Sequence, residues 1–509
     1  MTPGRVISGV AAAAIISGCA VGPDYHRPAL HAPDRYAEAA STGAATPPIA
    51  APDAAAWWRA LNDSELDSLI ERAVNANPDL AVALARLQQA RTFEVGVVGQ
   101  ALPSAAGSAA AGRGTGTDLT RGRALPDLVS ADSTKGLTSI NELAGFDAVW
   151  ELDVFGKYRR EIQAARYGAQ EALAARNAVL VTVISDVARA YIDMRGYQMQ
   201  AAVLQAAVKA LEESQRIADI RFRRGITNEL DAALAARELA TLQASVAPVA
   251  AQVKAAQYTI AVLLGQYPED LVAELTPAAL VPAVPSVTDT GLPLDLLRRR
   301  PDVQEAEWQL AGATARIGIA TANLFPQLAV TGGIGYQRQA LGVTPTVGQH
   351  VWSFGPAAIW PLLDFGALDA AVEIADLETR ALLANYRKVL QDAVRQVDTA
   401  ANALNAERQR LVNLGDAMIA SQRAVTLANE RYVRGLTDYL NVVDAERQAF
   451  EIEVEYTAAQ VALGDQFVLL YKSLGGGWEH YQDLPPSYVP KPAVIAAFRR
   501  MLGHDDPLR

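Results

Sequence analysis

The chain has a single cysteine, Cys19, among 509 residues. One thiol allows neither an intrachain disulfide nor a cysteine-based metal site. Aromatic residues make up only 6% of the sequence, which argues against a thick aromatic core. Basic residues are outnumbered, 45 Lys and Arg against 56 Asp and Glu, and a formal charge of −11 leaves no basic face for nucleic acid. The histidines are few as well. His26, His31, His350, His480 and His504 are scattered, and no two stand at metal-ligand spacing. Neither a Gly-x-Ser-x-Gly elbow nor a phosphate-binding loop occurs, so no catalytic residue, metal or organic cofactor is expected. Past the N-terminal segment, nothing approaches the roughly 20 uninterrupted apolar residues of a membrane helix. Any membrane-spanning segment must therefore be β.

What is present begins at the N-terminus. Arg5 gives a minimal positive region, Val6 to Gly18 a short apolar core, and Ile16-Ser17-Gly18 a run of small residues before Cys19. Residues 1–18 read as a secretory signal, too short to span as a helix. A lone cysteine directly after small residues resembles a bacterial lipoprotein box. That resemblance implies cleavage before Cys19 and a covalent N-acyl and S-diacylglycerol lipid on it. Ala20 follows where an Asp would retain such a protein at the inner membrane, which implies sorting to the outer membrane. Residues 19–56 then read as an extended, lipidated arm rich in Pro and Ala.

The rest of the chain repeats itself. Asn77-Pro78-Asp79-Leu80 returns as Arg300-Pro301-Asp302-Val303, and at the same displacement Leu102-Pro103 returns as Phe325-Pro326. Downstream a second, shorter displacement holds. Phe155-Gly156 matches Phe365-Gly366, Arg221-Phe222-Arg223-Arg224-Gly225 matches Arg431-Tyr432-Val433-Arg434-Gly435, and Gly265 meets Gly475. The stretch from Pro103 to Gly156 is thus longer than its counterpart from Pro326 to Gly366. One unit has been duplicated, with its length variation confined to one end. Copy one spans 57–290 and copy two 291–477, followed by a Pro-rich tail over 478–509 that reads as poorly ordered.

Within each unit the apolar period changes. Asp63-Ser64 starts a helix with Leu66, Leu69, Ile70 and Ala73 on one face, and Asn77-Pro78 starts another running to about Gln100. Leu328, Val330, Gly332, Ile334 and Tyr336 alternate with small or polar residues, the pattern of a barrel wall. β-Hairpins are predicted at about 101–156 and 325–366, with a returning strand over Val351 to Leu363 and variable loops at 118–144 and 338–350. Beyond Gly156 and Gly366 a 4-3 seam takes over, with Leu180, Ile184, Val187, Tyr191 and Met194 in the first copy and Leu390, Val394, Val397, Ala401 and Leu404 in the second. These predict helical hairpins at about 157–265 and 367–475, in which Tyr158 to Arg223 alone would reach roughly 100 Å at about 1.5 Å per residue. The returning helices are expected over Asn228 to Leu264 and Asp438 to Leu474. The cluster Arg298-Arg299-Arg300 reads as a solvated turn. Four strands per chain cannot close a membrane barrel, so several chains must combine into one tube.

Gly291-Leu292-Pro293, Arg299-Arg300-Pro301-Asp302, Ala306-Glu307, Ile317-Gly318 and Phe325-Pro326 together resemble the central signature of the outer-membrane efflux proteins, the TolC-like factors. The lipoprotein box resembles that of the NodT-type branch. The resemblance implies an α+β membrane protein, a homotrimer whose 12-stranded β-barrel, four strands per chain, continues into an antiparallel coiled-coil tunnel in the periplasm. It implies an exit duct for small molecules such as drugs, served by a periplasmic adaptor and an inner-membrane pump, often of the resistance-nodulation-division class, and embedded in outer-membrane lipid. An outer-membrane duct for type I protein secretion is an alternative within the same family. A purely structural coiled-coil lipoprotein would leave the amphipathic strands unused.

In that family the tunnel closes at the tip of the second helical hairpin, which Gly435 to Asp444 matches. Asp444 falls on an aperture carboxylate, Asn441 replaces a second one, and Asp231, the first-copy counterpart of Asn441, could supply charge instead. Tyr432 matches a residue that helps hold the closed state. The paired turns carrying Arg224-Gly225 and Arg434-Gly435 are the candidates for adaptor docking.

Overall fold

The computed structural model of the chain describes residues 20–29, 54–115, 138–285, 298–341 and 347–482. The signal segment, Cys19, most of the arm, the tips of both variable loops and the tail beyond Gln482 lie outside them.

Trp57 and Trp58 enter the core on a short 3-10 turn, Ala54–Leu61. Helix α1, Ser64–Ala76, follows, with the Asp63 side chain accepting from the amides of Glu65 and Leu66. Asn77 caps α2, Pro78–Gln100, in the same manner, and Pro78 occupies the first turn, where its missing N–H costs nothing. Strands β1, Ser104–Thr115, and β2, Thr138–Leu152, lead to helix α3, Lys157–Arg223, of 67 residues. The chain returns through α4, Glu229–Ala244, and α5, Val246–Leu263, then a short α6, Pro268–Leu275. The second half runs α7, Pro301–Ala322, then β3, Gln327–Leu341, and β4, Val347–Ile359. It ends with α8, Ala367–Val433, again 67 residues, and α9, Tyr439–Ser473.

The four strands form one antiparallel meander in the order β1-β2-β3-β4, leaving β1 and β4 as open edges. Gly107, Phe146, Ile334 and Trp352 lie in one row across it. Phe146, Trp150, Val330, Ile334, Trp352 and Phe354 share that face, while Asp147, Thr331, Gly333 and Ser353 share the other. Trp352 and Phe354 are 79% and 78% exposed, and none of the described residues covers this apolar face. The two repeat displacements carry the pair Ser104↔Val149 of the first hairpin onto Gln327↔Ile359, which is a pair of the second. The tryptophans correspond too: Trp150 Nε1 donates to the Ala101 carbonyl, and Trp360 Nε1 to that of Leu324.

Several expectations need correction. The strands reach further into the predicted loops, since β2 starts at Thr138, β3 ends at Leu341 and β4 starts at Val347. β4 also ends early, at Ile359, because that residue pairs with Gln327, where β3 begins, and Pro326 before it brings no N–H to extend the ladder. The first returning helix is not continuous but breaks at Ser245. Pro248 cannot donate to the carbonyl of Ala244, so the helix restarts with Pro248 in its first turn. Arg300 is no solvated turn residue. It is buried, donating to the Ser473 carbonyl, to Gln396 and to Asp302, and so ties the start of α7 to the end of α9. The start of the tail is folded as well: Tyr481 is buried and stacks on Trp58, and Trp478 Nε1 donates to the Arg299 carbonyl.

The main core lies around the middle of the long helices. Leu180, Ile184, Val187, Tyr191 and Met194 of α3, at most 1% exposed, meet Trp57, Trp58, the buried face of α1, and Phe467 and Tyr471 of α9. The predicted seam of α3 is therefore the buried face. Helix α3 packs against both α2 and α7, and α8 against α7 and α9.

Residues 20–29 form a strap over the α3–α7 seam. The Val21 amide donates to the Phe155 carbonyl, while the buried Arg160 donates to the carbonyls of Val21 and Gly22 and to Asp24 Oδ1 at 2.7 Å. Further along, Arg27 pairs with the buried Glu307 at 2.6 Å, and the Tyr25 hydroxyl also donates to Glu307. Gly22 lies so close to Gly318 that a Cβ there would overlap backbone.

Candidate functional site

At the end of the molecule remote from the sheet, α3 and α8 reverse through identical turns. The Gly225 amide donates to the Phe222 carbonyl and that of Ile226 to Arg221; the Gly435 amide donates to Tyr432 and that of Leu436 to Arg431. This pair of bonds closes the helix end with a residue in the left-handed region. Gly225 and Gly435 supply it, with φ of 69° and 71°. Arg224 and Arg434 lie exposed beside these glycines. The turns also present apolar side chains not picked as candidates from the sequence: Ile226 and Leu436, and four residues further Leu230 and Leu440, are all exposed. Their signal was available, since the downstream displacement matches Ile226 to Leu436 and Leu230 to Leu440, apolar to apolar in both pairs.

Just inside the turns, the two hairpins of the chain are joined. Tyr432 is 3% exposed, its ring 5.2 Å from that of Tyr439, and the Arg221 guanidinium lies 4.6 Å from its centroid. Arg221 also donates to the Val433 carbonyl at 3.1 Å. The Tyr432 hydroxyl reaches Asp231 Oδ2 at 3.5 Å, and the Tyr439 hydroxyl shares a hydrogen bond with Ser214 at 2.9 Å. Ala218, Ala235, Val442 and Val443 fill the space between. α3, α4, α8 and α9 thus meet in one latch. Only one side of the repeat carries it, because the counterparts of Tyr432 and Tyr439 are Phe222 and Glu229.

Burial raises the Asp231 carboxyl above its usual range, and the nearby Asp438 adds to this. Burial likewise raises Tyr432, and pushes the Tyr439 hydroxyl up to about 12. Both tyrosines are therefore neutral hydrogen-bonding groups at neutral pH.

Of the residues picked from sequence, Tyr432 and Asp231 are brought together. Asp444 and Asn441 stand apart on the exposed surface of α9. The Asp444 side chain is 52% exposed and accepts from Arg447 at 3.0 Å and Gln448 at 2.8 Å. Asn441 donates to the Thr437 hydroxyl. Arg221, Ser214 and Tyr439 were missed, because a residue joining two hairpins carries no local pattern. Cys19 lies outside the described residues. Among the described residues, no group of His, Cys, Asp or Glu is arranged to hold a metal, and no helix is long and apolar enough to cross a membrane.

A family model described as outer membrane efflux protein matches residues 69–266 and 292–476. Among curated relatives, Nodulation protein T of Rhizobium leguminosarum bv. viciae is 27% identical over 471 residues, covering 91% of this chain and 92% of the relative. The probable efflux pump outer membrane protein TtgC of Pseudomonas putida is 29% identical over 485 residues, covering 91% and 94%. Among solved structures, the outer-membrane channel OprN is similar with a TM-score of 0.79 at 32% identity, covering 91% of this chain and all of that one. The open state of the Neisseria gonorrhoeae MtrE outer membrane channel is similar with a TM-score of 0.75 at 26% identity, covering 91% and 99%.

Proposed function

The chain belongs to the outer membrane efflux protein family, and from that membership we propose that three copies form an outer-membrane exit duct for small molecules such as drugs. A periplasmic adaptor and an inner-membrane pump of the resistance-nodulation-division class would feed it. One observation carries this reading: a four-stranded sheet, apolar on one face and open at both edges, runs through Gly156 and Gly366 into two helices of 67 residues. Unpaired strand edges are not tolerated in lipid, so the sheet must close with other copies. The helices that continue it must then form a ring as well. Three copies would give twelve strands. A small-molecule cargo is supported by the similarity to the toluene efflux pump outer membrane protein TtgC of Pseudomonas putida.

The parts take on roles within this reading. Cys19 is the lipid attachment point; the strap begins at Ala20, packed against Gly156 where strand gives way to helix, so a lipid on the preceding residue would meet the membrane at that level. The Arg221–Tyr432–Asp231 latch holds the tip closed, Asp444 contributes charge near the aperture, and the turns at Arg224-Gly225 and Arg434-Gly435 receive the adaptor. Deleting the gene and measuring growth on a panel of antibiotics, dyes and organic solvents tests the reading. Loss of resistance to at least one class, restored by the intact gene, is expected. Unchanged tolerance across the panel, in a strain shown to express the parent protein, would contradict it.

A further inference from the structure

We propose that the cavity between the two helical hairpins of one chain binds a lipophilic organic ammonium ion, its charged head at Glu446 and its apolar body against Leu211, Leu242, Val425 and Phe450. All four helices that form the cavity belong to the same chain, so the proposal does not depend on how many copies assemble.

The cavity lies where α3 of the first hairpin meets α9 of the second, with α4 and α8 completing its walls. Its volume is about 680 Å³, the size of a site for a drug-like molecule. The latch borders it, since Ser214, which shares a hydrogen bond with Tyr439, and Val433, whose carbonyl accepts from Arg221, both line it. Apolar side chains come from every wall: Leu211 and Ile217 from α3, Leu242 from α4, Val425 from α8 and Phe450 from α9.

The charge of the lining is one-sided. Glu213, Glu238, Glu446 and Glu453 come from three helices, α8 adds only the neutral Gln422, Thr426 and Asn429, and Arg447 is the one cation. Arg447 is engaged elsewhere, with Asp444 at 3.0 Å and Glu451 at 3.6 Å. Glu213 pairs with Arg216 and Glu238 with Arg237, both arginines lying outside the lining. Among the described residues Glu446 and Glu453 have no ion-pair partner. Glu446 is the more telling of the two. Its Oε2 is buried with no hydrogen-bond partner, a costly state for a carboxylate. Burial raises its carboxyl above the usual range, Asn429 and Ser214 hold it down as donors, and the Glu238 carboxylate raises it again. A cation entering the cavity would relieve both the burial cost and the repulsion from Glu238.

Nothing in the repeated framework demands these residues. The first-copy counterparts of Glu446 and Phe450 are Ala236 and Ala240, and the second-copy counterpart of Ser214 is Ala424. A carboxylate beside an aromatic ring and aliphatic walls selects a ligand that is both apolar and positively charged. A small inorganic cation would satisfy the charge alone, and a neutral hydrocarbon would leave Glu446 unpaired.

Isothermal titration calorimetry of the full-length protein in lipid nanodiscs, blanked against empty nanodiscs, tests this with 4-phenylbutylammonium and its neutral analogue 4-phenylbutanol. The ammonium should bind saturably, and the alcohol about tenfold more weakly or worse, as expected for loss of a charge-assisted hydrogen bond. Glu446→Gln should weaken the ammonium by a similar factor and leave the alcohol unchanged. Leu242→Trp, which fills the cavity and keeps every carboxylate, should abolish binding of both. Equal affinity for the two compounds, unchanged ammonium affinity in Glu446→Gln, or no saturable binding by the parent would overturn the site. A Phe450→Cys thiol that is shielded from maleimide in native membranes, but is not shielded by the ammonium in nanodiscs, would make the cavity a groove covered by another protein and would overturn it as well.

Discussion

Tyr432 is held from three sides, by the ring of Tyr439, the guanidinium of Arg221 and the carboxylate of Asp231, and the three come from three different helices. Losing its hydroxyl would remove one long hydrogen bond, about 0.5–1.5 kcal/mol. Losing Arg221 would remove both the cation–π contact and the bond to the Val433 carbonyl, about 1–2 kcal/mol. In single-channel recordings Arg221→Ala is therefore expected to open the resting tip more than Tyr432→Phe. Equal conductance in both variants and the parent would free these residues of a gating role. Asp444, exposed and paired along its own helix, should leave resting conductance unchanged when replaced by Ala, but weaken block by divalent cations if three copies face the axis. A second residue-scale test concerns Asp465 on α9. Burial, with the neighbouring Asp193, pushes its carboxyl from 3.8 up to about 6. The folded chain thus holds this proton more tightly than the unfolded one. The stabilising contribution is complete below about pH 4 and lost as pH rises through about 6. Asp465→Asn should flatten the fall in thermal stability over that window and leave the protein more stable at pH 7, on the order of 1 kcal/mol per chain after allowance for partial exposure. A steeper fall in the variant would show that the Arg189 contact outweighs the burial cost.

Among the elements, the two turns are the most sharply determined. A valine at Gly435 would have room, since nothing lies near the position of a Cβ, but φ of 71° is strained for a β-branched residue. Gly435→Val should cost about 1–2 kcal/mol locally and reduce adaptor crosslinking while oligomers persist. Undiminished crosslinking would place docking away from the turn. The long helices, their seams and these glycines were legible because each rests on a local rule: a 4-3 apolar period, a cap, a left-handed position. The first hairpin was harder. β1 consists largely of Ala and Gly, whose small side chains give no alternation, and its strand identity comes from pairing with β2. Ser245 was missed because the break depends on a single proline within an otherwise helical pattern. Arg300 was misread because its burial is set by the end of α9, far away in sequence. The latch was half visible. Tyr432 and Asp231 were chosen by resemblance, whereas Arg221 and Ser214 become meaningful only when the hairpins are side by side.

For the whole molecule, an amphipathic sheet with open edges and two helices of about 100 Å form an incomplete object whose exposed surfaces call for copies of itself. The strap, the α3–α7 seam and the latch tie the parts of each chain together, and the sheet presents an uncovered apolar face. The central claim, that copies of this chain enclose a continuous aqueous path, is tested most directly by electrical recording of the purified oligomer in a planar lipid bilayer. Long-lived, discrete conductance steps are expected, small in the parent and larger when Arg221 is replaced by Ala. A bilayer that incorporates the protein, verified by recovery from the membrane, yet stays electrically silent for both would contradict it.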